Sequence, residues 1–397
     1  MIVKNEAAVI ERCLDSVRHL IDTWVISDTG STDATPQLIR TALHGIPGEL
    51  REEPWVDFGH NRSRNIGHAL GKADYLLLLD ADHVLSPDGP LPPLTADSYM
   101  LRHLGPTEYR VKRLVRGDLP WRYEGVTHEY LTCDRRDEND RRPGLQENLD
   151  ALTIEDHADG GSRHDKFERD ARLLGAEFQR DPSNTRTVFY LAQTLRDMGD
   201  TAAAVRLYER RAAMGGWAEE VYCALLQAGI LRGDSGDTAD WPAAMDALSR
   251  AWESRPERLE ACYELASRLR LQGRHHGAHA ITGAVLDRPA PDDLLFVQPW
   301  VYRWGLLFEH SITAYWVGDV AGSLRACDRL LTMPDLPETY RRQTEINRGF
   351  AVSRAQLRSV MPVSRETGLP VSRETSGSVS RETSASVSRE TSHGSGL

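Results

Sequence analysis

The pattern of hydrophobic and polar positions changes character near residue 160. Before that point, short apolar runs alternate with polar or helical segments, at residues 24–26, 75–79, 108–115 and 151–154. Beyond it, apolar residues recur with the spacing of amphipathic helices almost throughout. The pattern therefore predicts an α/β domain over residues 1–160 and an all-α domain over residues 161–355.

The predicted all-α domain contains pairs of helices joined by short glycine turns. The turns fall at Gly199, Gly273 and Gly318, and the helical units span residues 189–211, 224–252, 259–286 and 310–331. A spacing of roughly 34 to 45 residues is typical of helical repeats, in which each unit buries its apolar face against the next. Such repeats bind peptides or other chain segments, or they form a structural lid or a dimerisation surface.

The last segment, residues 356–397, has a different composition. It carries four copies of the sequence Val-Ser-Arg-Glu-Thr, which start at Val363, Val371, Val379 and Val387. With one apolar residue per copy, the segment cannot bury a core, and we expect a disordered low-complexity tail.

Composition narrows the class of protein. The chain has 397 residues, 40% of them hydrophobic, and a formal net charge of −11, which argues against nucleic acid as a partner of the protein. Five widely spaced cysteines without a Cys-x-x-Cys pair predict neither disulfides nor a zinc site. No apolar run approaches the roughly 20 residues of a membrane helix, so we expect no membrane span and a cytoplasmic protein.

Two predicted strands end on acidic residues. The apolar run of residues 75–79 leads to Asp80 and Asp82, whose alternation would place both carboxylates on one side of the backbone, facing one divalent cation. The alternative is a solvated turn that caps a helix. The strand at residues 24–26 leads to Asp28, a glycine turn and the capping residues 31–33 of a helix that runs through Ile39.

These motifs together resemble the family 2 glycosyltransferases. Residues 1–6, 28–33 and 80–82 carry the resemblance, and the branch with tetratricopeptide-like helical repeats after its catalytic domain is the most similar. The resemblance implies a Rossmann-like nucleotide-diphospho-sugar transferase domain of the A-type glycosyltransferase fold. In that family the first strand is usually longer than Ile2 and Val3, so either this strand is brief or the start codon has been placed late.

The activity implied by the resemblance is a metal-dependent sugar transfer. The donor would be a nucleotide-diphosphate sugar, with UDP expected, and the cofactor a divalent cation, Mn²⁺ or Mg²⁺. The acceptor would be a hydroxyl or thiol group of a protein or peptide, with a glycan or small metabolite as the alternative. Inversion at the anomeric carbon is expected from the family alone.

The resemblance also assigns the donor side. Asp82 becomes a direct metal ligand, and Asp80 contacts the ribose or reaches the metal through water. His157 is either a further metal ligand or a surface histidine in an acidic turn, whereas His83 is expected to be structural. Asp28 contacts the base or ribose, unless it only caps the following helix.

Two further segments complete the expected site. Within residues 57–65, Arg64 and Asn65 are placed near the nucleotide, and Arg62 is expected to be a solvated helix charge. Residues 121–129 resemble an acceptor-side motif in which Glu129 is the general base and His128 the fallback. Glu129 could equally form an ion pair with a nearby arginine. Basic residues at 163–169 either hold the leaving diphosphate or begin a charged helix.

Two functions from other classes are alternatives. The chain could be a catalytically inactive helical-repeat scaffold that binds peptides, although intact Asp28, Asp80 and Asp82 argue against it. It could be a nucleotidyltransferase that makes the activated sugar. That class begins with a glycine-rich basic loop after the first strand, which is missing from this sequence.

The tail generates a prediction at the level of the gene. One codon choice for Val-Ser-Arg-Glu-Thr, GTTTCACGTGAAAC, is a perfect palindrome and resembles the bacterial centromere-like site bound by chromosome-partition proteins. We expect all four copies to use these codons, because selection would then act on the DNA and not on the peptide. Sequencing the gene checks this, and mixed synonymous codons would leave a flexible or phosphorylatable linker as the explanation.

Overall fold

The computed structural model describes residues 1–104, 109–133, 145–160 and 166–360. They form two compact units that divide the chain between Arg180 and Asp181. The first unit therefore includes helix α4 (Lys166–Arg180), which follows the boundary predicted at residue 160. The predicted tail, residues 356–397, begins inside the last helix, and its four repeats lie outside the described residues.

The first unit opens with a parallel sheet covered by two helices. Strands β1 (Ile2–Val3), β2 (Trp24–Asp28) and β3 (Gly48–Glu52) pair in that order. Helix α1 (Ile10–Val17) connects β1 to β2, and α2 (Thr35–Ala42) connects β2 to β3. The buried residues of α1 recur at positions i, i+3, i+4 and i+7, which is the apolar stripe of a helix packed on a sheet: Ile10, Cys13, Leu14 and Val17.

A second, mixed sheet completes the α/β unit. Its five strands are ordered β4 (Tyr75–Leu77), β7 (Tyr109–Arg116), β6 (Ser98–Leu104), β10 (Gln146–Asp156) and β5 (His83–Pro87). A separate hairpin consists of β8 (Trp121–Glu124) and β9 (Tyr130–Cys133), and helix α3 (Phe58–Ala69) contacts β8. The main core of the unit lies on the five-stranded sheet, where Leu101 and Ile154 are fully buried.

The strand before the acidic pair is shorter than predicted. It ends at Leu77, and Asp80 to His83 form a turn in which the backbone N–H of His83 donates to the carbonyl oxygen of Asp80. The expected alternation of Asp80 and Asp82 is therefore wrong, because strand geometry does not extend to these residues. The chain must turn here because β5, which follows, pairs with β10 at the opposite edge of the sheet from β4.

The second unit is built from four helix pairs and a last helix. The pairs are α5 (Thr185–Asp197) with α6 (Thr201–Ala213), α7 (Ala218–Gly233) with α8 (Trp241–Ser254), α9 (Glu260–Leu271) with α10 (His275–Val285), and α11 (Leu306–Val317) with α12 (Val320–Leu331). Helix α13 (Glu338–Val360) packs on α12. The predicted glycine turns are confirmed, since Gly199, Gly273 and Gly318 all have the positive φ that ends a helix without strain.

Close packing within a pair explains one glycine inside a helix. A Cβ atom at Gly229 of α7 would lie 2.6 Å from Cγ of Leu248 in α8. The missing side chain lets these two helices approach each other closely. Within the described residues, which include all five cysteines, no disulfide is formed and no helix is both long and apolar enough to span a membrane.

The stacked rings of His279 and His310 lead to a prediction of how the stability of the second unit depends on pH. Burial, and then the neighbouring His279, lower the pKa of His310, whose ring stacks on that of His279 at 4.7 Å. Below about pH 6.5 the unfolded chain therefore binds more protons than the folded unit, so stability falls as the pH falls. We expect the melting temperature of H310Q to fall less than that of the wild type between pH 7 and pH 5.5.

The matched control for this measurement is His276→Gln, at an exposed position on α10. Its melting temperature, followed by circular dichroism, should track the wild type across the same pH range. Parallel profiles for H310Q and the wild type would contradict the prediction.

Candidate functional site

The loops that follow β1 and β2 are joined by side-chain hydrogen bonds. The backbone N–H of Thr32 donates to Oδ1 of Asn5 at 2.8 Å, and the N–H of Asn5 donates to Oγ of Ser31 at 2.9 Å. The N–H of Ala7 donates to Oδ2 of Asp33 at 3.1 Å. Carboxyl ends of neighbouring parallel strands form the usual ligand-binding edge of an α/β sheet, and here that edge is rigidly built.

Asp28 lies at this edge and is buried. Its two carboxylate oxygens accept the backbone N–H of Ser31 at 3.2 Å, and Oδ1 also accepts the Ser31 hydroxyl. This arrangement closes the turn in which Gly30 has a φ of +102°. Helix α2 begins only at Thr35, so Asp28 stabilises the turn and does not cap the helix. Its predicted contact with a nucleotide stays a prediction.

Asp80 is enclosed by arginine side chains. Oδ1 lies 2.5 Å from a guanidinium nitrogen of Arg62, and Oδ2 lies 3.1 Å from one of Arg113 on β7. Burial alone would raise the pKa of Asp80, but the two guanidinium groups outweigh it and hold that pKa well below its usual range. The expectation that Arg62 is a solvated helix charge is wrong, because its side chain is only 18% exposed.

The same arginine reaches the predicted acceptor motif. Nε of Arg62 lies 3.0 Å from Oε1 of Glu129, so the ion pair that was the alternative role of Glu129 is present. His128 precedes it with a φ of +50°, in the tight turn between β8 and β9. One arginine of α3 thus joins the predicted donor-side and acceptor-side carboxylates.

Close packing of α3 against the β8–β9 hairpin fixes this geometry. A Cβ atom at Gly59 would lie 2.1 Å from the carbonyl oxygen of Gly125, so no other residue fits there. One turn later, the Ser63 hydroxyl accepts the N–H of Tyr123 at 2.8 Å and also lies 3.2 Å from its carbonyl oxygen. Helical spacing places Arg62 beside these contacts, where it meets Glu129.

Asp82 belongs to a different group of side chains. One ligand atom from each of Asp82, His83 and Asp156 lies within 4.8 Å of the others. Two carboxylates and an imidazole are ligands that a divalent cation such as Mn²⁺ accepts. Burial lowers the pKa of His83 to about 4, so its ring is neutral, and the N–H of Asp80 donates to its Nδ1.

Gly160 packs closely against the carboxylate of Asp82. A Cβ atom at Gly160 would lie 3.0 Å from Oδ2 of Asp82, so a larger residue would crowd this oxygen. The N–H of Gly160 points at the same oxygen at 3.3 Å. Arg12 of α1 pairs with both oxygens of Asp159, at 2.6 and 3.0 Å, and so fixes the segment that approaches Asp82.

The other predicted site residues differ in their surroundings. Nε2 of His157 lies 3.9 Å from Oε2 of Glu155, whereas its backbone N–H lies 3.4 Å from the carbonyl oxygen of Asp82. Arg64 is exposed and lies 3.7 Å from Glu53. Their predicted roles at the metal and the nucleotide are neither confirmed nor contradicted by these contacts.

Asn65 and Arg169 make contacts within the first unit. The buried amide of Asn65 donates to Oγ of Ser27 at 3.0 Å and so ties α3 to β2. Of the basic residues at 163–169, Arg163 and His164 lie outside the described residues. The Arg169 guanidinium stacks over the ring of Phe58 at 4.9 Å.

Two residues of the site, Arg113 and Asp156, were not considered by sequence reasoning, and a third, His83, was expected to be structural but lies in the group that could hold a metal ion. Arg113 lies on a strand with two other arginines, and nothing in the sequence singles it out. Asp156 had a detectable signal, because it continues the alternation of the buried residues Leu152 and Ile154 and so shares their face of β10.

Comparison with known proteins covers the two halves separately. Residues 1–97 match the profile described as glycosyl transferase family 2. An uncharacterized glycosyltransferase of Rickettsia bellii is 33% identical over 86 residues, which is 22% of this chain and 27% of that protein. The glycosyltransferase SunS from the SPbeta prophage of Bacillus subtilis is 31% identical over 87 residues, 22% of this chain and 20% of that protein.

A TPR repeat-containing protein of Synechococcus elongatus is 38% identical over 85 residues, 21% of this chain and 20% of that protein. The matches thus span only a fifth to about a quarter of these relatives. Among solved structures, MamA aligns with 50% of this chain and 95% of its own at 16% identity and a TM-score of 0.32. YrrB, a TPR protein, aligns with 49% and 86% at 14% identity and a TM-score of 0.34.

These structural similarities are low, and the assignment of helical repeats rests on the four packed helix pairs themselves. The family match coincides with the edge that carries Asp28, the turn at Asp80 and the side chain of Asp82. Residues 1–97 of the chain match the model of glycosyl transferase family 2, and paired helical repeats form the second half.

Proposed function

We propose that the protein transfers a sugar from a nucleotide-diphosphate sugar to a hydroxyl or thiol group of a peptide or protein, with the help of a divalent cation. The observation that carries the proposal is the convergence of Asp82 and His83, which lie in the stretch that matches family 2, with Asp156 of β10. The family resemblance supports uridine as the base of the donor and inversion at the anomeric carbon. A glycan or a small metabolite is the alternative acceptor.

The chemistry requires charge stabilisation on the donor side. Asp82, His83 and Asp156 would hold Mn²⁺ or Mg²⁺, which offsets the negative charge that develops on the departing diphosphate. Asp28 would contact the base or ribose from the edge of the parallel sheet, and Asp80 would contact the ribose or a metal-bound water. Asp80 is already ionised, as that role requires.

On the acceptor side, Glu129 is the proposed general base. Arg62 contacts its Oε1 oxygen. The proton of the acceptor group would therefore be taken up by Oε2, or by Oε1 once Arg62 has moved away. His128, on the adjacent turn residue, is the alternative base. Arg62 would position both Asp80 and Glu129, and its charge could move toward the diphosphate when the donor binds.

A second function is a catalytically inactive peptide-binding scaffold. The observation that favours it is the pairing of Asp80 and Glu129 with one arginine, which opposes the use of either carboxylate in a reaction. Binding of a nucleotide that depends on Asp82 would rule out a pure scaffold.

Metal and donor binding can be tested by thermal shift with a panel of nucleotide sugars, with and without Mn²⁺. A true ligand at one hundred times its Kd adds about 2.7 kcal/mol to the folded state, which is a clear rise in melting temperature. We expect this rise for the wild type with Mn²⁺ and its loss in D82N and D156N, because each loses a charged oxygen ligand.

The matched control is Glu155→Gln, which removes a carboxylate from the adjacent, more exposed position of β10. E155Q should keep the Mn²⁺-dependent rise. An equal loss in E155Q would point to general electrostatics, and no rise with any nucleotide sugar at millimolar concentration would refute the enzyme.

The role of Arg62 predicts a difference between two arginines of α3. R62M should lower the free energy of unfolding by about 3 kcal/mol, because it removes the cation shared by two largely buried carboxylates. R64M, at a 57% exposed side chain, should change it by less than about 0.5 kcal/mol. Urea denaturation followed by fluorescence measures both, and equal losses would contradict the proposed position of Arg62.

A further inference from the structure

One connection in the second unit is much longer than the others. Helices α5 to α10 are joined by the short segments 198–200, 214–217, 234–240, 255–259 and 272–274. Residues 286–300, here called the strap, separate α10 from the helical turn Val301–Gly305 that leads into α11. Connections of this length in a compact domain usually serve a function.

The strap lies across the first helices of the three preceding pairs. The ring of Phe296 stacks on Phe189 of α5, with centroids 6.4 Å apart and planes 19° apart. The Cys223 thiol of α7 lies 3.7 Å from the carbonyl oxygen of Leu295. The strap connects the third pair to the fourth, yet it reaches back to the first pair.

The main chain of the strap is held from both sides by charged side chains. The N–H groups of Leu294 and Leu295 both donate to Oε2 of Glu219 at 2.8 Å. The carbonyl oxygens of Leu295 and Phe296 accept from the guanidinium of Arg258, at 2.9 and 3.2 Å. A site for an extended peptide needs acceptors for the main-chain N–H groups and donors for the main-chain carbonyl oxygens. Here a carboxylate supplies the acceptor and a guanidinium supplies the donors.

Side chains of the strap occupy separate environments. Leu295 is 7% exposed, whereas Leu294 beside it is 86% exposed. The carboxylate of Asp293 pairs with Arg255 at 2.5 Å and with Arg258 at 3.2 Å. The strap therefore presents an acid, a buried leucine and an aromatic ring to the helices, in that order.

The strap also holds an unfavourable backbone conformation. Phe296 has a φ of +51°, in the left-handed region that bulky residues avoid. Its stacking on Phe189 and the bonds from Arg258 keep it there. A peptide with the same side chains and a relaxed backbone would compete well for this surface.

We propose that the strap is an internal stand-in for a peptide partner, and that it must leave before the repeats can bind. The partner would be an extended segment with an acidic residue, a leucine two positions after it and an aromatic residue three positions after it. This inference rests on the proposed role of the repeats in binding a peptide. It concerns the surface formed by α5, α7 and the start of α9.

The test uses the full chain with residues 291–297 replaced by a Gly/Ser segment of equal length. A fluorescein-labelled peptide of residues 289–299 is titrated and followed by anisotropy. We expect the replaced protein to bind this peptide at least tenfold more tightly than the wild type does. A peptide with serine at the positions of Leu295 and Phe296 should bind at least tenfold more weakly to the replaced protein.

A pair of single variants tests the same idea in the intact strap. F296G removes the ring, and glycine tolerates the positive φ, so the strap should be displaced more readily and peptide affinity should rise severalfold. Leu294→Ser, at the exposed neighbouring position, should leave the affinity unchanged. Glu219→Ala in the strap-replaced protein should weaken peptide binding, because it removes the acceptor of two main-chain N–H groups.

Three results would overturn the proposal. A folded, strap-replaced protein that binds the peptide no better than the wild type shows that the surface is not a peptide site. Loss of the helical circular dichroism on replacement shows that the strap is part of the core. Equal affinities for F296G and L294S show that the ring is not an anchor. Because no sugar donor or metal is present, failure of the transferase proposal does not affect these outcomes.

Discussion

The ionised carboxylate of Asp80, whose side chain is only 22% exposed, constrains the architecture of the first unit. Such a group is tolerated only when cations and hydrogen-bond donors surround it. Arg62 and Arg113 supply the cations from α3 and from β7, and the carboxylate is thereby tied to a helix and a strand that are far apart in sequence. The turn after β4 cannot shift without separating these charges.

The two acids of the Asp-x-Asp motif share His83 but otherwise have different partners. Asp80 is compensated by Arg62 and Arg113, and its Oδ2 lies 3.6 Å from Nε2 of His83, whereas Asp82 lies with His83 and Asp156. Carboxylate oxygens and a neutral imidazole nitrogen are ligands that suit a divalent cation. The division is produced by the turn, because it rotates Asp82 away from the direction of Asp80 and toward the end of β10.

Local sequence was enough to locate the acidic motif, Asp28 and the glycine turns of the helical repeats. Each of these depends on neighbours within a few residues: an apolar run that stops, a turn that needs a positive φ, a helix that begins. The end of β4 at Leu77 could not be predicted, since it follows from where β5 must pair. The partners of Asp80 and the contribution of Asp156 come from other strands, and pairing between distant strands leaves little trace in a single sequence.

The strap escaped prediction for a related reason. Its apolar residues, 294–297, form a short run without helical spacing, which resembles an ordinary loop until the helices it crosses are known. Only the folded chain shows that Glu219 and Arg258, separated in sequence, hold its main chain.

Each unit uses a largely buried arginine to hold groups from several elements. The planar guanidinium suits this task because it can donate to two acceptors in fixed directions, which an ammonium group cannot do.

The acceptors of the two arginines differ, however. Arg62 contacts two carboxylates, so an incoming diphosphate offers it groups of the same charge and chemistry. Arg258 contacts two main-chain carbonyl oxygens as well as Glu260 and Asp293, so another peptide main chain offers it acceptors of the same kind as those lost when the strap leaves. The chemistry of these contacts therefore favours an anion at the first arginine and a polypeptide at the second.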